Sequence, residues 1–291
     1  MATFATSDQL LVVIDPVARR TDGESVRIAK DVLSAGATTK VCLPEGPEEF
    51  ARALARRGSR RPVVVGDDRA LVRAVSLLHR QRELAGCVLS VVPVGGALAL
   101  AETLGVPTGA VAAARAVLDG VERRMDLLVD DSDGVVLGAL RIPPVQVRQA
   151  APLEPVPAAP GRPWLRTTYR SLVRTLGARP SRLATSVPGP GPARLRVEVD
   201  GVTLVDLDQP VEGVSVTTGS AGLAGLAEVE VRPASVGAEA SPLRASGRTV
   251  TVAGPDFRYR ADAEVAGPVR RRTWQVVEGA WGLTVPQRAG A

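Results

Sequence analysis

Between Gln9 and Leu128, short runs that are apolar on both faces alternate with segments whose apolar residues recur at helical spacing. That alternation restricts the fold more than any other feature of the chain. Leu10 to Ile14 is an unbroken strand-like run ending at Asp15-Pro16, and Val26, Ala29, Val32 and Leu33 follow at helical spacing. Thr39 to Leu43, Pro62 to Gly66 and Cys87 to Val92 read as three further strands. Helical stripes separate them, carrying Phe50 and Leu54, then Leu71, Val75 and Leu78; Val111, Ala114, Leu118 and Val121 form a later stripe. Strands apolar on both faces need cover on both faces, so the pattern predicts a parallel sheet between helices. Ligands of such sheets bind beyond the carboxyl ends of the strands, which directs attention to the turns after Asp15, Gly66 and Pro93.

Beyond Met125 the pattern changes. Ile142 to Pro163 holds seven prolines and predicts a loop, since proline can neither continue a helix nor donate within a central strand. Pro163 to Gly177 reads as one helix, with proline in its first turn and glycine just past its end. Period-two alternation follows: Leu195, Val197 and Val199, then an Asp200-Gly201 hairpin turn into Val202 and Leu204. Val214 to Thr217, Ala227 to Val231, Thr249 to Ala253, Phe257 to Glu264, Thr273 to Val277 and Trp281 to Val285 complete the strand candidates. With 291 residues, the chain is expected to form two domains: an α/β domain over 1–128 and a mostly antiparallel β-sandwich over 129–291.

Scarce residue types exclude several chemistries. His79 is the single histidine, so multi-histidine metal sites within one chain are impossible and any Ser-His-Asp triad would depend on it. At a helix end, it reads as an exposed bystander. Cys42 and Cys87 are too few for a disulfide framework or a cysteine-rich zinc site, and read as reduced, buried thiols. No metal-ligand set is expected. The opening residues lack a basic export signal, and the longest uncharged stretch, Gly86 to Ala101, is too short to span a membrane; a cytoplasmic protein is expected. The net charge of +5 comes with only Lys30 and Lys40 among 36 basic residues, an arginine skew that resembles GC-rich coding. No aromatic residues interleave the arginine runs, and nucleic acid is not expected as a partner. Neither lysine follows a glycine loop, so a Walker-type phosphate loop is absent.

Two loops carry a resemblance. Pro93 to Pro107 reads Pro-Val-Gly-Gly-Ala-Leu-Ala-Leu-Ala-Glu-Thr-Leu-Gly-Val-Pro. This is similar to the Pro-Leu-Gly-Thr-Gly-Asn-Asp-Phe-Ala-Arg-Ala-Leu-Gly-Ile-Pro loop of diacylglycerol kinases and their sphingosine-kinase relatives. The strand-turn-helix from Val63 to Val75 resembles that family's strand into Gly-Gly-Asp-Gly-Thr. Val13 to Pro16 looks like its Asn-Pro start, and Met125-Asp126-Leu127 like its Val-Asp-Leu strand. Ala261-Asp262-Ala263-Glu264 resembles its Asp-Gly-Glu motif, and Gly279 to Pro286 its closing strand. The resemblance implies ATP and magnesium between the glycine loops and transfer of the γ-phosphate to a lipid hydroxyl. It makes Gly66, Asp68, Gly95, Gly96 and Asp15 the candidate nucleotide residues, and Glu264 or Asp262 the candidate base. An unrelated α/β-plus-β protein is the alternative.

The match breaks where the chemistry is most demanding. Gly-Gly-Asp-Gly-Thr becomes Gly66-Asp67-Asp68-Arg69-Ala70, and Thr-Gly-Asn-Asp becomes Gly96-Ala97-Leu98-Ala99. Asp67 sets a carboxylate where phosphate would approach; like charges ~4 Å apart repel by about 4 kcal/mol at an effective dielectric near 20. Arg69 is placed to relieve some of that by pairing. Asp68 reads either as a nucleotide or metal contact or as a helix N-cap, for which aspartate suits. The acidic Asp-Gly that leads the family's late hairpin is missing around Ser220 to Glu228. Along the Pro163 to Gly177 helix, Trp164, Arg166, Arg170 and Arg174 flank an apolar stripe, as on a helix lying against an anionic membrane. A helix capping a sandwich gives the same pattern. The expectation is therefore a catalytically weak or dead relative that binds lipid, an anion or a partner. The alternatives are an active ATP- and magnesium-dependent lipid kinase and a protein-interaction scaffold.

Overall fold

A computed structural model describes residues 9–144, 191–218, 225–234 and 241–287. The Pro163 to Gly177 helix with Trp164, Arg166, Arg170 and Arg174, and most of the proline-rich loop, lie outside the described residues.

The first part is built from β1 (Gln9–Ile14), α1 (Pro16–Thr21), α2 (Gly23–Gly36), β2 (Thr38–Cys42), α3 (Pro47–Ala55) and β3 (Arg61–Gly66). It continues through α4 (Asp68–Arg80), β4 (Val88–Pro93), α5 (Ala99–Thr103) and α6 (Ala110–Asp119). The strands pair in parallel in the order β4-β3-β1-β2. Their apolar runs are buried on both faces, as the sequence predicts. Leu11, Val13 and Val64 pack with Phe50, Leu54, Leu71 and Leu78 on one side. Leu10, Val12 and Val63 pack with Val26, Ala29, Leu33 and Val117 on the other. The helical stripe expected at Val111, Ala114, Leu118 and Val121 is out of phase: on α6, Ala113, Ala114, Ala116 and Val117 are buried and Val111 is exposed, while Val121 lies past the helix, exposed at the start of the next strand. Alanines, with little side chain to mark a face, make up the true contact surface. Cys87 is buried but Cys42, on edge strand β2, is only half-buried; both are free thiols.

The remaining strands are β5 (Val121–Asp130), β6 (Val135–Val136), β7 (Ala139–Ile142), β8 (Ala193–Arg194), β9 (Arg196–Val199) and β10 (Val202–Val205). After them come β11 (Pro210–Thr218), β12 (Ala227–Pro233), β13 (Leu243–Gly247), β14 (Thr249–Ala261) and β15 (Glu264–Val285). Their pairings are antiparallel apart from one. The exception is β15, which pairs in parallel with β4 through Gly282 and Leu283, so hydrogen bonds run continuously from one sheet region to the other. A second core fills this region, with Val197, Val216, Val229, Val252, Tyr259 and Trp274 among its members. The turn expected at Asp200-Gly201 is present, with φ of 49° and 80°. Positive φ at both central residues of a two-residue loop matches the strand twist and suits aspartate and glycine.

Three strand expectations are corrected. Thr249 to Ala253 is not separate from the segment beginning at Phe257; both belong to the 13-residue β14. Phe257 to Glu264 is not one strand: Asp262 and Ala263 form the turn between β14 and β15, with Ala261 opposite Glu264. Thr273 to Val277 and Trp281 to Val285 are not separate; they belong to the 22-residue β15, with a register shift between Val277 and Trp281 at Gly279 (φ 54°). Among the described residues, no helix is long and apolar enough to cross a membrane.

Candidate functional site

The carboxyl ends of β1, β3 and β4 are adjacent, so the fold brings Asp15, Gly66 and the Gly95-Gly96 loop to one crevice. Gly66 is tightly placed. A Cβ there would lie 2.6 Å from the Ala70 Cβ and 3.0 Å from the Asp15 Cβ, so only glycine fits. The Gly66 carbonyl accepts from the Val94 N–H at 3.0 Å, and the Asp68 N–H donates to the Ala97 carbonyl at 2.9 Å. The two loops are thus bonded to one another.

Each carboxylate of the crevice is bonded within the chain. Asp15, at 2 % exposure, caps α1 by accepting from the Val17 N–H at 2.9 Å and pairs with Arg73 at 2.9 Å. Arg73 also lies over the Phe50 ring, 5.7 Å from its centroid. The N-cap of α4 is Asp67 rather than Asp68, accepting from the Ala70 N–H at 3.1 Å. Arg69 forms no ion pair with it; among the described residues Arg69 has no polar partner. Asp68 turns the other way. It is buried, and its two oxygens accept from the Leu100 and Ala101 N–H groups at 3.0 and 3.2 Å, capping α5. Burial raises the Asp68 carboxyl above its ordinary value, opposed by those amides and reinforced by neighbouring Asp67.

These bonds occupy most of the amides that a phosphate would use. Of the first three N–H groups of α4, Asp68 donates to Ala97 and Ala70 to Asp67, leaving Arg69. In α5, Asp68 takes Leu100 and Ala101. The Gly95 and Gly96 N–H groups have no acceptor among the described residues, and Gly95 has φ of 128°, a conformation that favours glycine.

Asp262 reaches the same neighbourhood from the β14–β15 turn. Its carboxylate accepts from three consecutive amides, Leu137 at 2.7 Å and Gly138 and Ala139 at 2.9 Å each. Its φ of 47° is one that aspartate tolerates better than most residues. Burial pushes its carboxyl up, the three amides pull it down, and the charge of Asp68 adds to the rise. Leu100 closes the gap between them: a Cβ on Gly138 would lie 2.7 Å from the Leu100 Cδ1 and 3.2 Å from an Asp262 oxygen. Glu264, the other candidate base, is exposed on β15. Among the described residues, no group of three or more His, Cys, Asp or Glu is arranged to hold a metal ion.

One expectation is overturned and one feature is new. His79 is not a bystander; its Nε2 lies 2.9 Å from an Asp133 carboxylate oxygen, linking the end of α4 to the β5–β6 turn. In that turn Asp130 accepts from the Ser132 N–H and hydroxyl and from the Gly134 N–H. Burial raises the Asp130 carboxyl, but the Ser132 and Gly134 bonds and the charge of Arg272 outweigh it, leaving it below its ordinary value. A Ser-Asp-Gly sequence after an aspartate was the available signal.

No protein-family model matches this chain, and no curated protein matches it. Solved structures do. Two structures from Bacillus anthracis str. Sterne, each provisionally named a diacylglycerol kinase, superpose with TM-scores of 0.70 and 0.68. Both are 14 % identical; the first covers 100 % of each chain, the second 96 % of this chain and 97 % of the other. A structure described as diacylglycerol kinases from the same organism gives a TM-score of 0.66 at 11 % identity, covering 97 % of this chain and 98 % of that one. The chain therefore has the fold of these bacterial proteins, a parallel α/β part joined to a mostly antiparallel β part. At such identities the likeness establishes architecture alone.

Proposed function

We propose that this chain is a diacylglycerol-kinase-type protein whose phosphate-binding loops have decayed. In this reading it is catalytically weak or dead and works by binding a lipid, an anion or a partner. The observation that carries the proposal is the internal use of the crevice: Asp15, Asp67 and Asp68 bring negative charge, and together they engage the amides of Val17, Ala70, Leu100 and Ala101. A triphosphate needs free N–H donors and compensating cations at such a helix N-terminus. Arg73, about one-third exposed, is already paired with buried Asp15. The residues present do not fit ATP with magnesium.

Asp262 favours a second reading, an active lipid kinase. Its raised pKa is the property a general base requires, and Glu264 stands two residues away. Against it, three amide hydrogen bonds hold the Asp262 carboxylate in a structural role. The two readings separate in an assay of ATP turnover with diacylglycerol-containing vesicles. Decay predicts no lipid-stimulated ADP release above the protein-free rate. Stimulated release that Asp262→Asn abolishes, with the fold intact, would establish the kinase. Peripheral attachment through Trp164, Arg166, Arg170 and Arg174 belongs to the same proposal and predicts vesicle binding that weakens with salt.

A further inference from the structure

The polar face of the antiparallel region presents an unusual juxtaposition. Arg141 of β7 stands directly opposite Arg260 of β14. Both neighbours of Arg141 on its strand, Leu140 and Ile142, are buried, as is Tyr259 beside Arg260, so the two guanidinium groups share the outer face. Like charges at directly opposed positions repel. No side-chain ion pair or hydrogen bond to either arginine occurs within the described residues, so nothing there relieves the repulsion. The Arg260 Nε is also buried without a hydrogen-bond partner, a state rarely left uncompensated.

The surroundings supply space but no counter-charge at the pair. Arg141 lines an open concavity of about 850 Å³ over β7, β11, β12 and β13. Its carboxylates, Glu212, Glu228 and Glu230, all lie on β11 and β12, and Glu230 is flanked by Arg232 and Arg244 at 3.1 Å each. Across the strands, Ser215 stands opposite Arg141 on one side, and Val265, 51 % exposed, stands opposite Arg260 on the other.

We propose that Arg141 and Arg260 form a binding site for a phosphate monoester, with the Ser215 hydroxyl as an adjoining donor. Two arginines at directly opposed strand positions carry the donor forks and the charge that suit a dianion with three acceptor oxygens; a carboxylate would neutralise only one. Exposed Val265 beside the pair suits the apolar continuation of a lipid phosphate, although free phosphate esters carry the same recognition chemistry. The site names a ligand class for the binding role proposed above and rests on that reading for its purpose, but its chemistry is independent of whether the crevice takes ATP.

The test uses the full chain and two probes: glycerol 3-phosphate followed by calorimetry, and phosphatidylcholine vesicles with and without phosphatidic acid followed by co-flotation. Saturable binding of either probe, weakened about tenfold or more by Arg141→Gln or Arg260→Gln and unaffected by Arg27→Gln on α2, is expected. Binding of glycerol 3-phosphate without vesicle preference assigns a free phosphate ester; vesicle preference assigns a lipid headgroup. The double variant is also expected to melt no lower than the parent, since it removes the repulsion, which separates loss of binding from loss of fold. Binding of neither probe, or equal binding by the double variant, overturns the proposal. Mg-ATP binding that survives in the double variant counts against the decayed crevice and leaves the arginine site standing.

Discussion

The crevice at the ends of β1, β3 and β4 and the polar face of β7, β11 and β14 are opposites. In the crevice, at the carboxyl ends of parallel strands where open α/β sheets commonly bind ligands, three aspartates and their amide partners satisfy one another. On the sheet face, two arginines oppose each other without an internal anion. The difference teaches that the architecture of a site does not fix the sign of its ligand. A helix N-terminus attracts anions only while its amides are free, and a single capping carboxylate both consumes them and adds the wrong charge.

The sharpest way to break this contrast is at Asp262. If its carboxylate is structural, Asp262→Ala leaves three loop amides without an acceptor and forces alanine into positive φ, destabilising the fold by about 3 kcal/mol or more in urea unfolding. Asp262→Asn keeps an acceptor and tolerates the backbone, so its cost is expected to be well under half of that. A general base without structural duty would show the reverse, with little loss of stability in either variant.

A smaller effect is expected at Arg73. Arg73→Ala leaves the buried Asp15 carboxylate with only the Val17 amide. Because Arg73 itself is about one-third exposed, the loss is expected at about 1–2 kcal/mol rather than the full value of a buried pair. At Asp67, alanine is expected to cost about 1 kcal/mol through loss of the cap, while serine stays near the parent. Equal melting of all three Asp67 forms would remove the structural explanation for that residue.

The smallest effect is in pH dependence. Asp68 has a raised carboxyl in the folded chain, so the fold binds its proton more tightly than the unfolded chain does. Stability from this group is greatest in acid and falls as pH rises from the ordinary carboxylate range through the raised value. Asp130 is lowered, so its contribution is present at neutral pH and lost as pH falls through its folded value. Asp68→Asn is therefore expected to gain stability relative to the parent as pH is raised from about 4 to about 8, a trend read from urea midpoints. A constant difference across that range contradicts the assignment.

Much of this was legible in the sequence. Leu10 to Ile14 and Pro62 to Gly66 announced strands buried on both faces, because alternation is absent when both faces are covered. Asp200-Gly201 fixed a hairpin because few other pairs accept its backbone. The turns carrying Asp15, Gly66 and Gly95 follow adjacent parallel strands, a neighbourhood that the alternation of strands and helices implies. The direction of side chains was not legible. Adjacent Asp67 and Asp68 look equivalent along the chain, yet one caps its own helix and the other the next helix, 32 residues away. Nor could sequence place Arg141 against Arg260, since their pairing depends on long-range register between strands more than a hundred residues apart.

The central proposal is that the crevice does not accept a nucleotide, and calorimetric titration of the Arg141→Gln/Arg260→Gln protein with Mg-ATP tests it most directly. The account predicts no saturable heat. A one-to-one isotherm in the micromolar range, abolished by bulky substitution of Gly95 but not by salt alone, would contradict it.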